Sequence, residues 1–405
     1  GKNGLVAADA DAWRDGLLAL TRDGDYRRRL ADAAYDDVMA RYAPDAMAQT
    51  QARALFGLPP PREKANLRVL MANVYFAPRS FGGATIVAEE MGRRLVRKGA
   101  QVSVMTSRPS VADIPDGDIR YDVDGMMVFA SVLPEDQGGL GLLDNPAMAS
   151  RFAAVLEACQ PDVVHVHAAQ GLGTGLLRVC QERGVHYVLT LHDAWWLCER
   201  QFMVRADGKY CFQTTIDSAV CEACVPGARH LADRQVVMRQ ALAGAALLIS
   251  PSQAHRDLYL ANGIAPERIV VNRNGFCWPQ RPRRTRTVGA PLRFGFVGGT
   301  EAVKGYGLLK EAMQSLSRSD WELVLVDNKL NLGFQSIFPE DWSVRGLLRI
   351  VPAYTQSGLD DFYDQIDVLL FPSQWKESYG LTVREALARD VWVITTSPGG
   401  QSEDV

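Results

Sequence analysis

The segment FPSQWKESYGLTVREALA, residues 371–388, carries two carboxylates eight positions apart, Glu377 and Glu385. A carboxylate accepts two hydroxyl hydrogen bonds at once, so such a pair suits the hydroxyls of a sugar and a ribose. Ser373 to Tyr379 fall in a loop after the strand-like DVLLFPS, and ligands of open α/β sheets bind beyond the carboxyl ends of the strands. The loop then enters a helix near Gly380 and Leu381, where free N–H groups and the positive dipole end favour phosphate oxygens. By spacing alone, a solvated helix face remains the commoner explanation of two such glutamates.

A second group is Cys198, Cys211, Cys221 and Cys224, spaced C-x12-C-x9-C-x2-C directly after LHDAWWL. Four thiolates with a terminal C-x2-C satisfy a tetrahedral zinc ion, and an insertion poor in apolar residues gains order from one. A disulfide or unpaired thiols are the alternatives. Cys159, Cys180 and Cys277 read as small core residues. Asp-x-Asp triplets at 9–11, 23–25, 116–118 and 122–124 read as chance turns or helical residues. GLGTGLL, 171–177, imitates a dinucleotide loop, but Leu176 stands where the third glycine of G-x-G-x-x-G belongs.

These groups must be held by a framework of some size. At 405 residues the chain exceeds what one core usually supports, and 47% apolar with 22% charged residues is ordinary globular composition. The formal charge of -3 gives no electrostatic reason to expect nucleic acid. Neither a membrane span nor an export signal is readable, and four of seven cysteines bunched in one short stretch favour a reducing cytoplasm over a disulfide framework.

Residues 5–56 read as helical, and GLPPPREKAN closes them as a linker. LRVLMANVYF (67–76) is a strand, followed by the loop APRSFGG and a helix from about Ala84 to Lys98. QVSVMTS, a helix over 147–159, DVVHVH, a helix over 174–183 and HYVLTLHD continue the alternation. A second series starts at LRFGFVGG (292–299) and runs through a helix from about Gly307, WELVLVD, LRIVPA, DVLLFPS, a helix from about Leu381 and VWVITT. Alternating strands and helices predict two α/β domains with parallel sheets, joined through CWPQRPRRTRTVGA.

The segment 371–388, with DVLLFPS before it and PGGQSE after it, resembles the E-x7-E signature of glycosyltransferase family 4. The resemblance extends to VVNRNG, ISPS, LTLHD, DVVHVH and SFGGA, in the family's order, over nearly all of 67–405. It implies a GT-B fold, two Rossmann-like domains facing a central cleft, and transfer from a nucleoside-diphosphate sugar with retention at the anomeric carbon. The acceptor implied is a saccharide or a lipid-linked acceptor, in the synthesis of cell-surface polysaccharide or glycoconjugate, with peripheral association at the inner face of a membrane. No nucleic acid and no cofactor for catalysis are expected. Position by position, Glu377 would lie by the donor sugar and Glu385 at the ribose, and Gly82, Gly83 and Lys304 by the diphosphate. Tyr379, Gly380 and Leu381 would join the donor site, and His192 of LHD the reaction centre. No carboxylate is placed as a nucleophile, so same-face attack assisted by the leaving phosphate fits better than double displacement. The family's usual G-R pattern is broken, since Gly299 stands where an Arg is common; another Arg is expected to substitute, the alternatives being weak donor binding or a degenerate module. The alternatives are a sugar-nucleotide epimerase and a noncatalytic GT-B module of a larger multi-transferase protein.

Residues 1–44 resemble the segment that in this family follows PGG-x-x-E, which here ends at PGGQSEDV. The order is that of a circular permutation or of a window across tandem modules. The division expected is therefore 1–57 as the tail completing the second domain, 58–66 as linker, 67–280 as the acceptor-side domain with its insertion at 198–224, 281–290 as interdomain linker and 291–405 as the donor-binding domain. Residues 1–57 are expected to pack on 290–405, with Gly1 near Val405.

Overall fold

A computed structural model of the chain describes residues 9–42, 66–80, 82–110, 117–133, 143–225, 230–282 and 289–403. By its internal contacts it divides into one unit of residues 1–66 with 153–160 and another of 67–152 with 161–405. In the first unit the helical block resolves into two helices, Ala10–Arg22 and Gly24–Tyr42. Asp23 separates them: its carboxylate accepts from the Tyr26 N–H at 2.8 Å, which caps the second helix. The expected placement of residues 1–57 on 290–405, with Gly1 near Val405, rests on residues 1–8, 43–57 and 404–405, which lie outside the described residues.

The second unit holds two sheets. The first runs through β1 (Arg68–Ala72), β2 (Gln101–Arg108), β3 (Ile119–Val123), β4 (Met126–Val132), β5 (Val163–Val166), β6 (Tyr187–Thr190), β7 (Leu247–Ser250) and β8 (Ile269–Val271), in spatial order β3-β4-β2-β1-β5-β6-β7-β8. The second comprises β9 (Leu292–Val297), β10 (Trp321–Asp327), β11 (Leu347–Pro352), β12 (Val368–Phe371) and β13 (Trp392–Thr395), ordered β11-β10-β9-β12-β13. All pairings but β3–β4 are parallel. Central strands of such sheets are covered on both faces and so are apolar throughout. Leu323 to Val326 in β10, and Leu70 to Ala72 in β1, are wholly buried. The predicted two Rossmann-like domains of a GT-B fold are thus observed.

The sequence reading passes over β3 and β4, a hairpin in IRYDVDGMMVFASV. Its turn is Asp124–Gly125, with φ of 52° and 81°, and Asp-Gly with both φ positive is the two-residue turn whose twist matches a hairpin. Asp122 therefore lies within β3, one residue before its end, and its Oδ1 accepts from Gly125 N at 3.1 Å. Among the described residues no helix is long and apolar enough to cross a membrane.

In each sheet the strand order reverses direction at a defined place. β1 lies between β2 and β5, and β9 between β10 and β12. Crevices outside the carboxyl ends of strands at such switch points are where open α/β sheets bind ligands. The loop before Gly82 leaves β1, His167 follows β5, and Ser373 to Glu377 follow β12, so the chemistry-bearing segments occupy those positions.

Candidate functional site

Glu377 is buried in the loop beyond β12. Ser373 Oγ donates to its Oε1 at 2.9 Å and Lys304 Nζ reaches the same oxygen at 2.8 Å. Both protein donors thus sit on Oε1 and leave Oε2 to accept from a ligand hydroxyl. Two further ammonium donors of Lys304 remain for anionic oxygens. Lys304 also stands 5.3 Å from the centre of the Trp375 ring, a cation–π distance.

Close backbone packing puts Lys304 there. Gly305 has φ of 81°, and a Cβ built on it would overlap the carbonyl oxygen of Pro372, so only glycine lets the two loops meet. Gln374 N then donates to Val303 O at 2.8 Å. On the other side, Gly400 N donates to Glu377 O at 2.8 Å, and the buried Arg384 guanidinium bonds the carbonyls of Tyr379 and Gly400. The PGG motif is therefore a brace for the Glu377 loop. Gly380, at φ 79°, begins the helix Leu381–Leu387 with no room for a side chain beside Gln401.

Glu385 lies on that helix and is buried. Tyr363 donates to its Oε2 at 3.1 Å. Burial raises its pKa, with the Tyr363 hydrogen bond and Arg389 opposing. Tyr379 turns its hydroxyl onto Asn274 O at 2.6 Å, tying the loop to the NRNG segment after β8. Gly299 takes φ of 60°, and a Cβ on it would stand in ordinary contact with Asn328 Nδ2 at 3.6 Å; a left-handed backbone here favours glycine over arginine.

From the first sheet, the helix Gly82–Arg97 starts opposite this loop: a Cβ on Gly83 would stand 3.3 Å from Leu381 Cδ1. The two glycine-led helix starts are therefore adjacent. His192 follows β6, and its Nε2 lies 2.9 Å from His167 Nδ1. Neighbouring parallel strands β5 and β6 bring these rings together. Neither His167 nor Asp193 was singled out from sequence, although DVVHVH and LHD contain them. Asp193 is the anchor of the turn: Trp195 N donates to Oδ1 at 2.8 Å and Gln201 Nε2 to Oδ2 at 2.7 Å. Burial pushes its pKa up to about 6, against the hydrogen bonds from Gln201, Trp195 and Gln170.

Burial holds His165 and His255 near pKa 4, and His192 near 3, with His165 and His255 adding repulsion at His192. A buried neutral histidine binds its proton more weakly folded than unfolded. Its stabilisation is complete above the unfolded pKa of about 6.5 and is lost as pH falls toward the folded value. Asp193 and Glu385, whose pKa values burial raises, act oppositely, but four histidines, His167 among them, outnumber the two. The melting temperature is therefore expected to fall between about pH 6.5 and 4; a scan flat across that window would contradict the buried neutral cluster.

All four insertion cysteines are free thiols. Gln213 Nε2 lies 3.0 Å from Cys211 Sγ and 4.0 Å from Cys221 Sγ, and Cys198, Cys221 and Cys224 line one small cavity. Among the described residues no three His, Cys, Asp or Glu side chains are arranged to hold a metal ion.

Two family models match the chain: a glycosyl transferase 4-like domain over residues 82–275 and glycosyl transferases group 1 over 281–405. A D-inositol 3-phosphate glycosyltransferase of Xylanimonas cellulosilytica is 26% identical over 360 residues, covering 82% of this chain and 81% of that protein. Among solved structures, sucrose-phosphate synthase from Thermosynechococcus elongatus superposes with TM-score 0.56 at 16% identity, covering 83% of each chain. Anabaena HepE in complex with UDP-glucose gives 0.53 at 14% identity, covering 84% of this chain and 83% of that one.

Proposed function

Because the chain is a glycosyltransferase of the GT-B architecture, we propose that it moves a sugar from a nucleoside-diphosphate donor to a saccharide or lipid-linked acceptor, with retention at the anomeric carbon. The observation that carries this reading is the half-satisfied carboxylate of Glu377, held on one oxygen by Lys304 and Ser373. In the transition state the sugar gains oxocarbenium character while the diphosphate leaves. Lys304, released toward the phosphates, and the N-terminus of helix Gly82–Arg97 stabilise the leaving charge, and Glu377 Oε2 orients the sugar hydroxyls. His192, kept neutral by burial, offers a fixed hydrogen-bonding nitrogen beside the reacting face. Glu385 fits the ribose, since a carboxylate with about four acceptor positions keeps capacity beyond Tyr363. Product configuration at the anomeric carbon, read by NMR, tests the retention; inversion would refute it.

Lys304→Ala is expected to weaken nucleoside diphosphate binding by about tenfold, the worth of one hydrogen bond to a charged group. Titration calorimetry against UDP, GDP and ADP checks it, and wild-type affinity would remove Lys304 from the donor site.

We further propose that Cys198, Cys211, Cys221 and Cys224 close on a structural zinc ion after side-chain rotation. Their shared neighbourhood and the terminal C-x2-C support it. Purified protein is expected to hold about one zinc per chain, lost in Cys221→Ser; metal-free wild-type protein contradicts it. The free thiols fit a cytoplasmic site of action, with peripheral contact to the membrane's inner face.

A further inference from the structure

The helix Gln253–Ala261 follows β7 of the first sheet, and the groups that close its start come from both sheets. A helix leaves its first backbone N–H groups without partners of its own. Ser252 Oγ accepts one of them, from His255 N at 3.1 Å. The other two reach far along the chain: Glu403 Oε2 accepts from Gln253 N at 3.1 Å, and Oε1 accepts from Ala254 N. A carboxylate in this position meets two bare donors and the positive end of the helix dipole together.

Glu403 closes the PGGQSE segment that follows β13. In that segment Gly400 N donates to Glu377 O at 2.8 Å. Gly400 is packed on two sides, since a Cβ built on it would stand 2.3 Å from Ser378 O and 2.7 Å from Ser252 Oγ. The short turn Gly400–Ser402 and the glutamate after it therefore hold the Glu377 loop at one end and the helix start at the other. Further along the helix, Tyr259 donates its hydroxyl to Asp193 O at 2.8 Å, and His255 Nε2 lies 3.2 Å from the same carbonyl. A carbonyl only accepts, so His255 carries its proton on Nε2. Both side chains are buried, and the carbonyl they fix belongs to the residue directly after His192.

We propose that Glu403 is a positioning residue for the transfer reaction. Its carboxylate seats helix Gln253–Ala261 against the PGGQSE turn, and the helix in turn sets the His192 turn relative to Glu377. Glu403 touches no reacting atom and acts through the helix alone. The inference rests on the glycosyltransferase reading of Glu377 and His192, and adds the device that aligns them.

The test combines amide hydrogen exchange of the full chain, kinetics with UDP-, GDP- and ADP-sugars, and titration of the matching nucleoside diphosphates. In Glu403→Ala the Gln253 and Ala254 amides are expected to exchange at least about fivefold faster, and kcat to fall about fivefold, the worth of one helix cap. Nucleoside diphosphate affinity stays within about twofold of wild type, because Lys304 and Glu385 are untouched. Glu403→Gln keeps one acceptor oxygen without the charge and falls between wild type and the alanine variant in both exchange and kcat. A cap of purely structural importance lowers the urea midpoint and leaves kcat at the wild-type value. Unchanged exchange at both amides, or faster exchange with unchanged kcat, overturns the positioning role. Wild-type protein that consumes no donor sugar contradicts the glycosyltransferase reading instead, and exchange at the two amides still decides whether Glu403 holds the helix.

Discussion

Glu377→Gln is expected to lower kcat by about 10²- to 10³-fold, the usual consequence of removing one preorganised stabilising group. The amide keeps the volume and an oxygen for Lys304 and Ser373, which reach Oε1 at 2.8 and 2.9 Å. What it removes is the negative charge and the second acceptor facing the ligand. Lys304, no longer neutralised by the carboxylate, still meets the diphosphate, so nucleotide affinity should change little. Steady-state kinetics with the preferred nucleotide sugar separates these effects. An unchanged kcat would place Glu377 in a structural brace rather than at the sugar.

Gly305→Ala should remove about 3 kcal/mol or more of stability. An L-residue in the left-handed region costs about 1–2 kcal/mol, and forcing a methyl group into packed backbone adds about 1–3. Both conditions hold at Gly305, whose φ is 81° and whose Cβ would overlap Pro372 O. The loops at 302–304 and 372–377 must then part, taking Lys304 from Glu377. Gly307→Ala is the control, because its Cβ would meet nothing within 4 Å and alanine is the better helix former. Urea midpoints decide: equal stability of the Gly305 variant and wild type would contradict the close approach.

The parts of this site legible in sequence were those with local signatures. Strand–loop–helix alternation and unbroken apolar runs such as WELVLVD gave both sheets, because parallel strands are buried on both faces. The glutamate pair and the glycine loops were readable through family resemblance, since their spacing alone fits a solvated face. The hairpin β3–β4 escaped because its strands alternate weakly, although Asp124–Gly125 signals its turn. Trp375, His167 and Asp193 were invisible as functional groups for a different reason. Their roles depend on partners far along the chain: Lys304 and Phe202 for Trp375, His192 for His167, Gln170 for Asp193. Pairings of that kind come from strand order, which no local pattern encodes.

The central claim is that the Glu377–Lys304 pair marks a working donor site. Incubating the protein with labelled UDP-, GDP- and ADP-sugars, and following release of the nucleoside diphosphate, tests it most directly. The account predicts that wild-type protein consumes at least one donor, by hydrolysis or transfer, and that Glu377→Gln nearly abolishes this while still binding the nucleotide. Failure of the wild type to consume any donor, or equal consumption by the variant, would contradict it.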